Sequence, residues 1–298
     1  MKKFFKNLSS KLKSKFYFDY DTSKNVWFRS GGKATVFCLV YDEKELEIII
    51  SNMRDYCYEI IGAGSNLLIR DRGYNGIILK LGKNFNNIKL HNKFIEVGGG
   101  ILDLNLSKFA QKNNIKDFEF YSGIPGTIGG AIKMNAGCYD FETKDILKEI
   151  KTINSNGEIK FLSKDKIKLK YRNSSIPEGD VIISANFNYS YGDNAVINEK
   201  MKNIKLMREN SQPLKTKTSG SAFKNPKKNF AAKLIQMSDC KGMSLGDAVV
   251  SNKHANFLIN TKEATATQIE ELGNRIIERV FNKFNIKLEW EIRIIGNK

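Results

Sequence analysis

Histidine is scarce in this chain: His91 and His254 are the two among 298 residues. That count excludes a metal site built on three histidines and obliges any Ser-His-Asp triad to use one of these two. Four cysteines stand at 38, 57, 138 and 240. None belongs to a C-x-x-C pair, so neither a zinc site nor a redox dithiol is indicated. No apolar run approaches the roughly 20 residues that cross a bilayer. The opening MKKFFKNLSSKLKSKF is basic but lacks the unbroken apolar segment of a signal peptide. It is expected as a basic N-terminal arm, residues 1–16, on a cytoplasmic protein with no membrane partner; binding of the arm to a membrane surface is the weaker alternative. Acidic residues are few, 32 against 49 lysines and arginines, which leaves a net charge of +17. The excess is mostly lysine, spread along the chain among abundant asparagine and isoleucine. It reads as a composition bias, and no RNA-binding or helix-turn-helix signature accompanies it. Neither an internal repeat nor a low-complexity tract is present.

Glycine is where the chain speaks. Residues Tyr121 to Gly137 read YSGIPGTIGGAIKMNAG, with Gly123, Gly126, Gly129, Gly130 and Gly137 interleaved with Ile124, Ile128, Ile132 and Met134. A flexible linker carries serine and charge; these isoleucines want burial. A buried glycine-rich loop with successive N–H groups is a concave anion site, suited to a diphosphate. An earlier segment, EIIGAGSNLLIRD at 59–71, repeats the theme with Gly62, Gly64, Ser65 and Asn66 in a turn. It half-matches G-x-G-x-x-G, but Leu67 takes the third glycine's place and a strand follows where a helix belongs, so a Rossmann site is not expected. Two such turns suggest one large diphosphate cofactor between two small lobes; two tight turns in an α+β protein is the bland alternative.

The rest of the pattern places these turns. Residues 26–40 alternate and are expected as strands around Gly31-Gly32. Helices are expected over 43–54, 102–112, 196–209, 229–238 and 266–284, the last capped by Thr265 with Gln268. Strands are expected near 59–62, 67–70, 76–81 and 94–98, across 145–190 with a turn at Asn154-Ser155-Asn156-Gly157, and at LEWEIRIIG. Strand-rich, then helix-rich, then one strand suggests an α+β chain. The expected division is a first lobe at 17–82 joined by the strand 285–298, a second lobe at 83–195, and a smaller substrate-binding domain at 196–284.

Four further segments carry polar groups. Arg172 in YRNS can hold a carboxylate through paired hydrogen bonds, although alone it reads as a surface arginine. Ser221 follows Gly220 in GSAFKNP, and alone reads as structural. Glu289, Glu291 and Arg293 alternate onto one strand face, which alone reads as solvated. His254 in VSNKHANFLIN alone reads as a packed residue.

Taken in order, FRSGGKA (28–34), GAGSNLLIRD (62–71), GIPGTIGGAIKMNAG (123–137), YRNS (171–174), GSAFKNP (220–226), VSNKHANFLIN (250–260) and EIRIIG (291–296) resemble the UDP-N-acetylenolpyruvoylglucosamine reductases, flavoproteins that make UDP-N-acetylmuramate for bacterial cell walls. The resemblance spans about residues 25–296. It implies an α+β fold with a two-lobed FAD-binding domain of the vanillyl-alcohol-oxidase type and a smaller α+β substrate-binding domain. It implies non-covalent FAD, consistent with no histidine or cysteine in the first glycine turn, and NADPH as reductant. The FAD contacts implied are Gly62, Ala63, Gly64, Ser65 and Asn66 from one turn. From the other they are Gly123, Ile124, Pro125, Gly126, Thr127 and Gly129, then Gly130, Ala131, Asn135, Ala136 and Gly137.

Ser221 is the implied proton donor, and Arg172 and Glu291 would flank the enolpyruvyl group. Tyr171, Lys224, Asn225, Lys253 and His254 would lie toward the nucleotide sugar. The residue types suit the reaction: hydride from flavin N5 to the vinyl carbon builds negative charge that an arginine stabilises. Glu291 would have to be protonated, or bonded to a protonated group, and burial favours that. A serine is a weak acid, adequate only for a strongly basic carbanion. The chain departs from the family's pattern at Asn25-Val26, at Ser122 and in KTKTSGS, which lacks a proline. Its length fits the shorter subtype without the tyrosine-bearing substrate loop. A monomer with no nucleic-acid partner is expected. A flavin oxidase of the same fold, a lysine-rich nucleic-acid binder and an inactive FAD scaffold are the competing readings.

Overall fold

The structure is a computed structural model and describes residues 1–53 and 55–298. The chain forms two compact units. The first comprises Met1–Asp19, Thr35–Ala63 and Gly76–Leu206; the second comprises Tyr20–Ala34, Gly64–Asn75 and Met207–Lys298. Among the described residues no helix is long and apolar enough to cross a membrane.

The first unit opens with helix α1, Lys2–Ser9. The basic arm, expected as a helix or a frayed segment, is a helix here and is docked. Phe5 is fully enclosed, its ring 6.1 Å from Phe16 and 5.4 Å from Tyr56, while Lys2 pairs with Asp19 at the surface. Helix α2, Glu43–Ser51, starts where the Asp42 carboxylate accepts from the Glu45 N–H, and it buries Leu46, Ile49 and Ile50. These pack on a four-stranded sheet ordered Lys15–Asp21, Lys33–Val40, Tyr74–Leu81, Tyr58–Ile61. The Tyr58–Ile61 strand runs parallel to its neighbour, with Tyr58 opposite Ile77.

A second core of the same unit lies on a five-stranded antiparallel sheet, ordered Ile159–Ser163, Leu147–Ile153, Val181–Phe187, Ile95–Gly98, Ile88–Leu90. The turn between its first two strands is made as the asparagines dictate: the Asn154 side chain accepts from the N–H groups of Asn156 and Glu158, and Gly157 takes φ +84°. Helix α3, Asp103–Lys112, helix α4, Ile128–Lys133, and the single turn α5, Thr143–Ile146, supply the apolar cover. Helix α6, Asn194–Ser211, follows and buries Ile197 and Ile204.

The second unit is built on helix α7, Ala231–Met237, and helix α8, Ala266–Phe284. Helix α8 occupies the expected residues and closes the expected capping box, Thr265 with Gln268. Its stripe of Ile269, Leu272, Ile276 and Val280 packs with a small antiparallel sheet, Ser244–Leu245, Ala248–Val250, Leu258–Asn260. The Asp71 carboxylate caps the N-terminus of α8, accepting from the N–H groups of Ala266 and Thr267. Arg70 makes a two-pronged pair with Glu270, both contacts at 2.8 Å. The strand Arg293–Ile295 runs parallel to Leu67–Ile69.

These contacts draw residues 64–75 into the unit that contains α8, so the compact units cut the chain differently from the expected boundaries at 82, 195 and 284. Two expectations about strands are corrected. Residues 26–32 are not a strand: Arg29 at φ +56° and Gly31 at φ +143° break the alternation, and the strand begins at Lys33. LEWEIRIIG is extended as a strand only over Arg293–Ile295.

Candidate functional site

In the first unit, Gly62 ends the strand side of the first turn against the second glycine loop. A methyl added at Gly62 would stand 2.3 Å from the Thr127 hydroxyl, so only hydrogen fits. Thr127 is the residue before α4 and pairs as an isolated antiparallel bridge with Leu102; Ile128 N–H donates to Ile101 and Gly129 N–H to Gly99. A methyl at Gly130, by contrast, would meet only the Thr127 hydroxyl at 3.6 Å. Gly62 is therefore glycine for close packing, whereas Gly130 leaves open space at the surface of the loop. Gly123 is closed in by Cys138 and Ile204. Ile124 and Pro125 lead to Gly126, whose carbonyl accepts from Asp103 N–H at 3.2 Å. Ala63 follows Gly62, half-buried.

Asn135 is fully buried in left-handed backbone, φ +42°. Its amide donates to Glu142 and to the Lys170 carbonyl, and its oxygen accepts from Lys144 N–H. Its side chain is thus spent on protein, a brace rather than an open donor. Ala136 accepts from the Thr143 hydroxyl and N–H, and Ala131 from the Ala136 N–H, which folds the NAG turn back on α4.

Lys170 lies in a tight hairpin, Leu169–Lys170 against Asn173–Ser174, with Tyr171 and Arg172 at its tip. The hairpin lies within the span where strands are expected. Arg172 adopts left-handed backbone, φ +51°, a conformation that costs an L-residue about 1–2 kcal/mol. Its guanidinium donates to the Gly137 carbonyl at 3.0 Å and lies 4.9 Å from the Tyr171 ring centroid. The NAG turn and the YRNS hairpin are therefore one local structure.

Sequence reasoning missed Asp103, the first residue of α3. It is wholly enclosed, neither carboxylate oxygen has a hydrogen-bond partner, and burial pushes its carboxyl well above the ordinary range. An aspartate at a helix start normally signals only dipole complementarity.

In the second unit, Gly64 takes φ +70° with its absent side chain facing the Asn25 carbonyl at 1.9 Å, so glycine is obligatory. Its carbonyl accepts from Trp27 N–H. Ser65 and Asn66 complete the turn. Asn66 is bound at both ends: its amide donates to the Glu291 carbonyl at 3.0 Å, and its carbonyl accepts from Arg293 N–H at 3.1 Å.

The GSAFKNP segment is the middle of three extended stretches. After Gly220, at φ +77°, Ser221 bridges Phe257 on one side. Ala222 N–H donates to the Asn256 carbonyl, and the Ala222 carbonyl accepts from Glu291 N–H at 2.8 Å. Phe223 bridges Trp290, their rings 4.8 Å apart. The Glu291 N–H bond thus sets Glu291 opposite Ala222, the residue after Ser221. Ser221 and Glu291 are both half-buried, and the Ser221 hydroxyl has no hydrogen-bond partner among the described residues. Buried Asn256 locks the register by clasping Phe223 through both N–H and carbonyl. That role was missed, although an asparagine inside the apolar run ANFLIN is itself a signal of a buried polar brace.

Lys224 N–H donates to the Glu289 carbonyl, and its ammonium lies 3.6 Å from the Glu289 carboxylate. Asn225 accepts from Ala231 N–H at the start of α7. The N–H groups of Lys253 and His254 both donate to the Ser251 hydroxyl, and Lys253 reaches the Glu209 carbonyl. The His254 ring packs edge-on against Phe257, its pKa lowered chiefly by burial, and its Nδ1 accepts from Asn256 N–H. Arg172 belongs to the first unit; Ser221 and Glu291 belong to the second.

Comparison with known proteins finds similar chains. Residues 34–163 match the FAD binding domain, and residues 212–295 match the UDP-N-acetylenolpyruvoylglucosamine reductase, C-terminal domain. The reductase of that name from Rickettsia massiliae is 40% identical over 286 residues, covering 96% of this chain and 97% of the relative. That of Rickettsia rickettsii is 39% identical over the same length. The crystal structure of the reductase from Thermus caldophilus matches with TM-score 0.83 and 28% identity, over 95% of this chain and 98% of that one.

Proposed function

This chain belongs to the UDP-N-acetylenolpyruvoylglucosamine reductase family, FAD-dependent oxidoreductases of peptidoglycan synthesis, and on that premise we propose that it carries out the NADPH-dependent reduction of UDP-N-acetylglucosamine enolpyruvate to UDP-N-acetylmuramate. The observation that supports the reading is the main-chain bond from Glu291 N–H to the Ala222 carbonyl, which lays the Ser221 and Glu291 segments side by side, with the serine hydroxyl uncommitted. When bound, FAD supplies the two electrons, drawn from NADPH and delivered as hydride to the vinyl carbon.

The chain's own residues do the rest. The open face at Gly130 and the glycine turn at Gly62, Gly64, Ser65 and Asn66 suit a diphosphate that must approach the main chain. Arg172, set in strained backbone and donating to the Gly137 carbonyl, carries the planar fork that suits a carboxylate. In this scheme it stabilises the charge that grows on the enolpyruvyl carboxylate. Ser221 gives the proton to the adjacent carbon, and Glu291 supports it. Tyr171, Lys224, Asn225, Lys253 and His254 stand toward the nucleotide sugar; His254 is there as a neutral ring. The protein acts as a cytoplasmic monomer without a nucleic-acid partner.

The test is an anaerobic visible spectrum of the purified protein. Yellow absorbance that bleaches with NADPH and returns with the enolpyruvyl sugar supports the reading. Recolouring with oxygen alone favours a flavin oxidase. Ser221→Ala keeps the flavin and the bleaching but loses turnover by several orders of magnitude; retained turnover removes Ser221 from the mechanism.

A further inference from the structure

Arg172 holds left-handed backbone at the tip of its hairpin, φ +51°. Such backbone persists only where its surroundings over-determine it. Three alternate residues along the end of α4 and the NAG turn supply that constraint. Before the tip, Asn135 Nδ2 donates to the Lys170 carbonyl at 3.2 Å. At the tip, the Gly137 carbonyl accepts from the Arg172 guanidinium at 3.0 Å. Beyond the tip, Lys133 Nζ donates to the carbonyls of Ile176 and Pro177, at 2.6 and 2.8 Å. Most lysines of this chain lie in solvent; Lys133 is half-buried at the end of α4, and its charge strengthens both bonds to one loop. Ile176 is itself 4% exposed, in the same apolar core as Ile128, Ala131 and Ile132 of α4. The loop is held from a second side, where Tyr58 Oη donates to the Gly179 carbonyl at 2.8 Å. Tyr58 opens the strand that runs into Gly62, and Lys133 closes the helix that follows Thr127. Residues 170–179 are thus tied to the element behind each glycine turn.

We infer that Lys133 is a positioning residue for the reduction, fixing the outgoing side of the hairpin to the flavin-binding loop so that the Arg172 fork is presented at one set place. It acts through Arg172 rather than on the substrate. Without its two bonds the chain after the tip is released, and Arg172 can relax toward ordinary backbone, which swings the guanidinium away. A displacement of about 1 Å at a group that stabilises developing charge can cost about a hundredfold in rate. The inference rests on the reductase reading and deepens it, by naming what holds the arginine assigned to the enolpyruvyl carboxylate.

The test uses the FAD-loaded enzyme with Lys133→Met, which keeps the apolar stem and loses the donor, and Lys133→Arg, which keeps a cation. Each is made alone, and Lys133→Met is also combined with Arg172→Ala. The kcat for the enolpyruvyl sugar, the rate of flavin bleaching by NADPH, and amide hydrogen exchange across residues 169–176 are measured. Lys133→Met should lower kcat roughly tenfold to a hundredfold, speed exchange across the hairpin about tenfold or more, and leave bleaching unmoved. Lys133→Arg should restore both kcat and exchange. In the Arg172→Ala background Lys133→Met should change kcat by less than about twofold, because the group through which it acts is already gone. An equal loss in both backgrounds would show a general structural role and overturn the inference while the reductase reading stands. Unchanged exchange across the hairpin, or an effect confined to bleaching by NADPH, would equally overturn it. Should Lys133→Met fail to fold, Tyr58→Phe removes only the bond to Gly179 and poses the same cycle with Arg172→Ala from the other side of the loop. A wild-type protein that binds FAD and bleaches with NADPH but leaves the enolpyruvyl sugar unreduced would remove both readings.

Discussion

Asp103→Asn probes the sharpest local conflict in the fold. Two effects compete at this carboxyl. The first turn of α3 favours an anion by about 0.3–1 kcal/mol when exposed. Stripping water from an ionised carboxylate costs several kcal/mol. Complete burial with no hydrogen-bond partner means that desolvation wins, and the group is held protonated well above its usual range. The phenol of Tyr121, its titratable neighbour, is pushed up as well, chiefly by its own burial and partly by Asp103, so it stays neutral beside the acid.

The native state therefore keeps a proton that the unfolded chain releases above about pH 3.9. Stability from this group is full below that pH and falls by about 1.4 kcal/mol per pH unit above it, for as long as the native carboxyl stays protonated. Asparagine cannot titrate. It shares the cost of a buried polar group without partners, about 1–3 kcal/mol, with the neutral acid it replaces. Near pH 4 the two proteins should thus be close in stability, and the variant should gain on the wild type by about 1.4 kcal/mol per unit as pH rises. Urea unfolding across that range, with both proteins FAD-free or at one FAD excess, reads the difference directly. A difference that stays flat with pH would show that Asp103 ionises alike in both states, and the argument from burial would fail.

Two other substitutions follow from close contacts. Gly273→Ala gains about 1 kcal/mol of helix propensity. The new methyl, however, would lie 2.0 Å from the Trp290 ring, which is seated against Phe223. Overpacking costs about 1–3 kcal/mol, so a lower urea midpoint and a raised KM are expected beside Glu291; a stabilised protein with normal KM would contradict this. Asn135→Ala strips three hydrogen bonds that join the NAG turn to Glu142, Lys144 and Lys170. It should cost about 2–3 kcal/mol and loosen both flavin retention and the Arg172 hairpin, read as faster FAD loss on dilution.

Much of this was legible before any coordinates. Helix α8 declared itself because a capping box and a 3.6-residue stripe are local signals, each decided within one or two turns of chain. The turn at Asn154 to Gly157 was legible for the same reason, since its hydrogen bonds close within five residues. Residues 26–32 misled, because alternation is also what a chain shows when it winds between Arg29 and Gly31 in left-handed backbone. LEWEIRIIG misled in part: Phe223, Ala222 and Leu67 claim different pieces of it. Asp103 was illegible, since no periodicity tells a capping aspartate from an enclosed one.

By itself, then, the sequence determined the family, the glycine turns, the helices and the residue types suited to reducing an enolpyruvyl ether, because each rests on chemistry carried by a few neighbouring residues. Only the tertiary structure decided that Gly62 yields its space to Thr127, that Asn135 and Asn256 are braces, that α1 is docked by Phe5, and that Glu291 bonds to Ala222, next to Ser221. Those are pairings that reach as far as 65 positions, from Gly62 to Thr127, and 69, from Ala222 to Glu291, or between a side chain and the space it is denied, and such facts exist only once the chain has closed on itself.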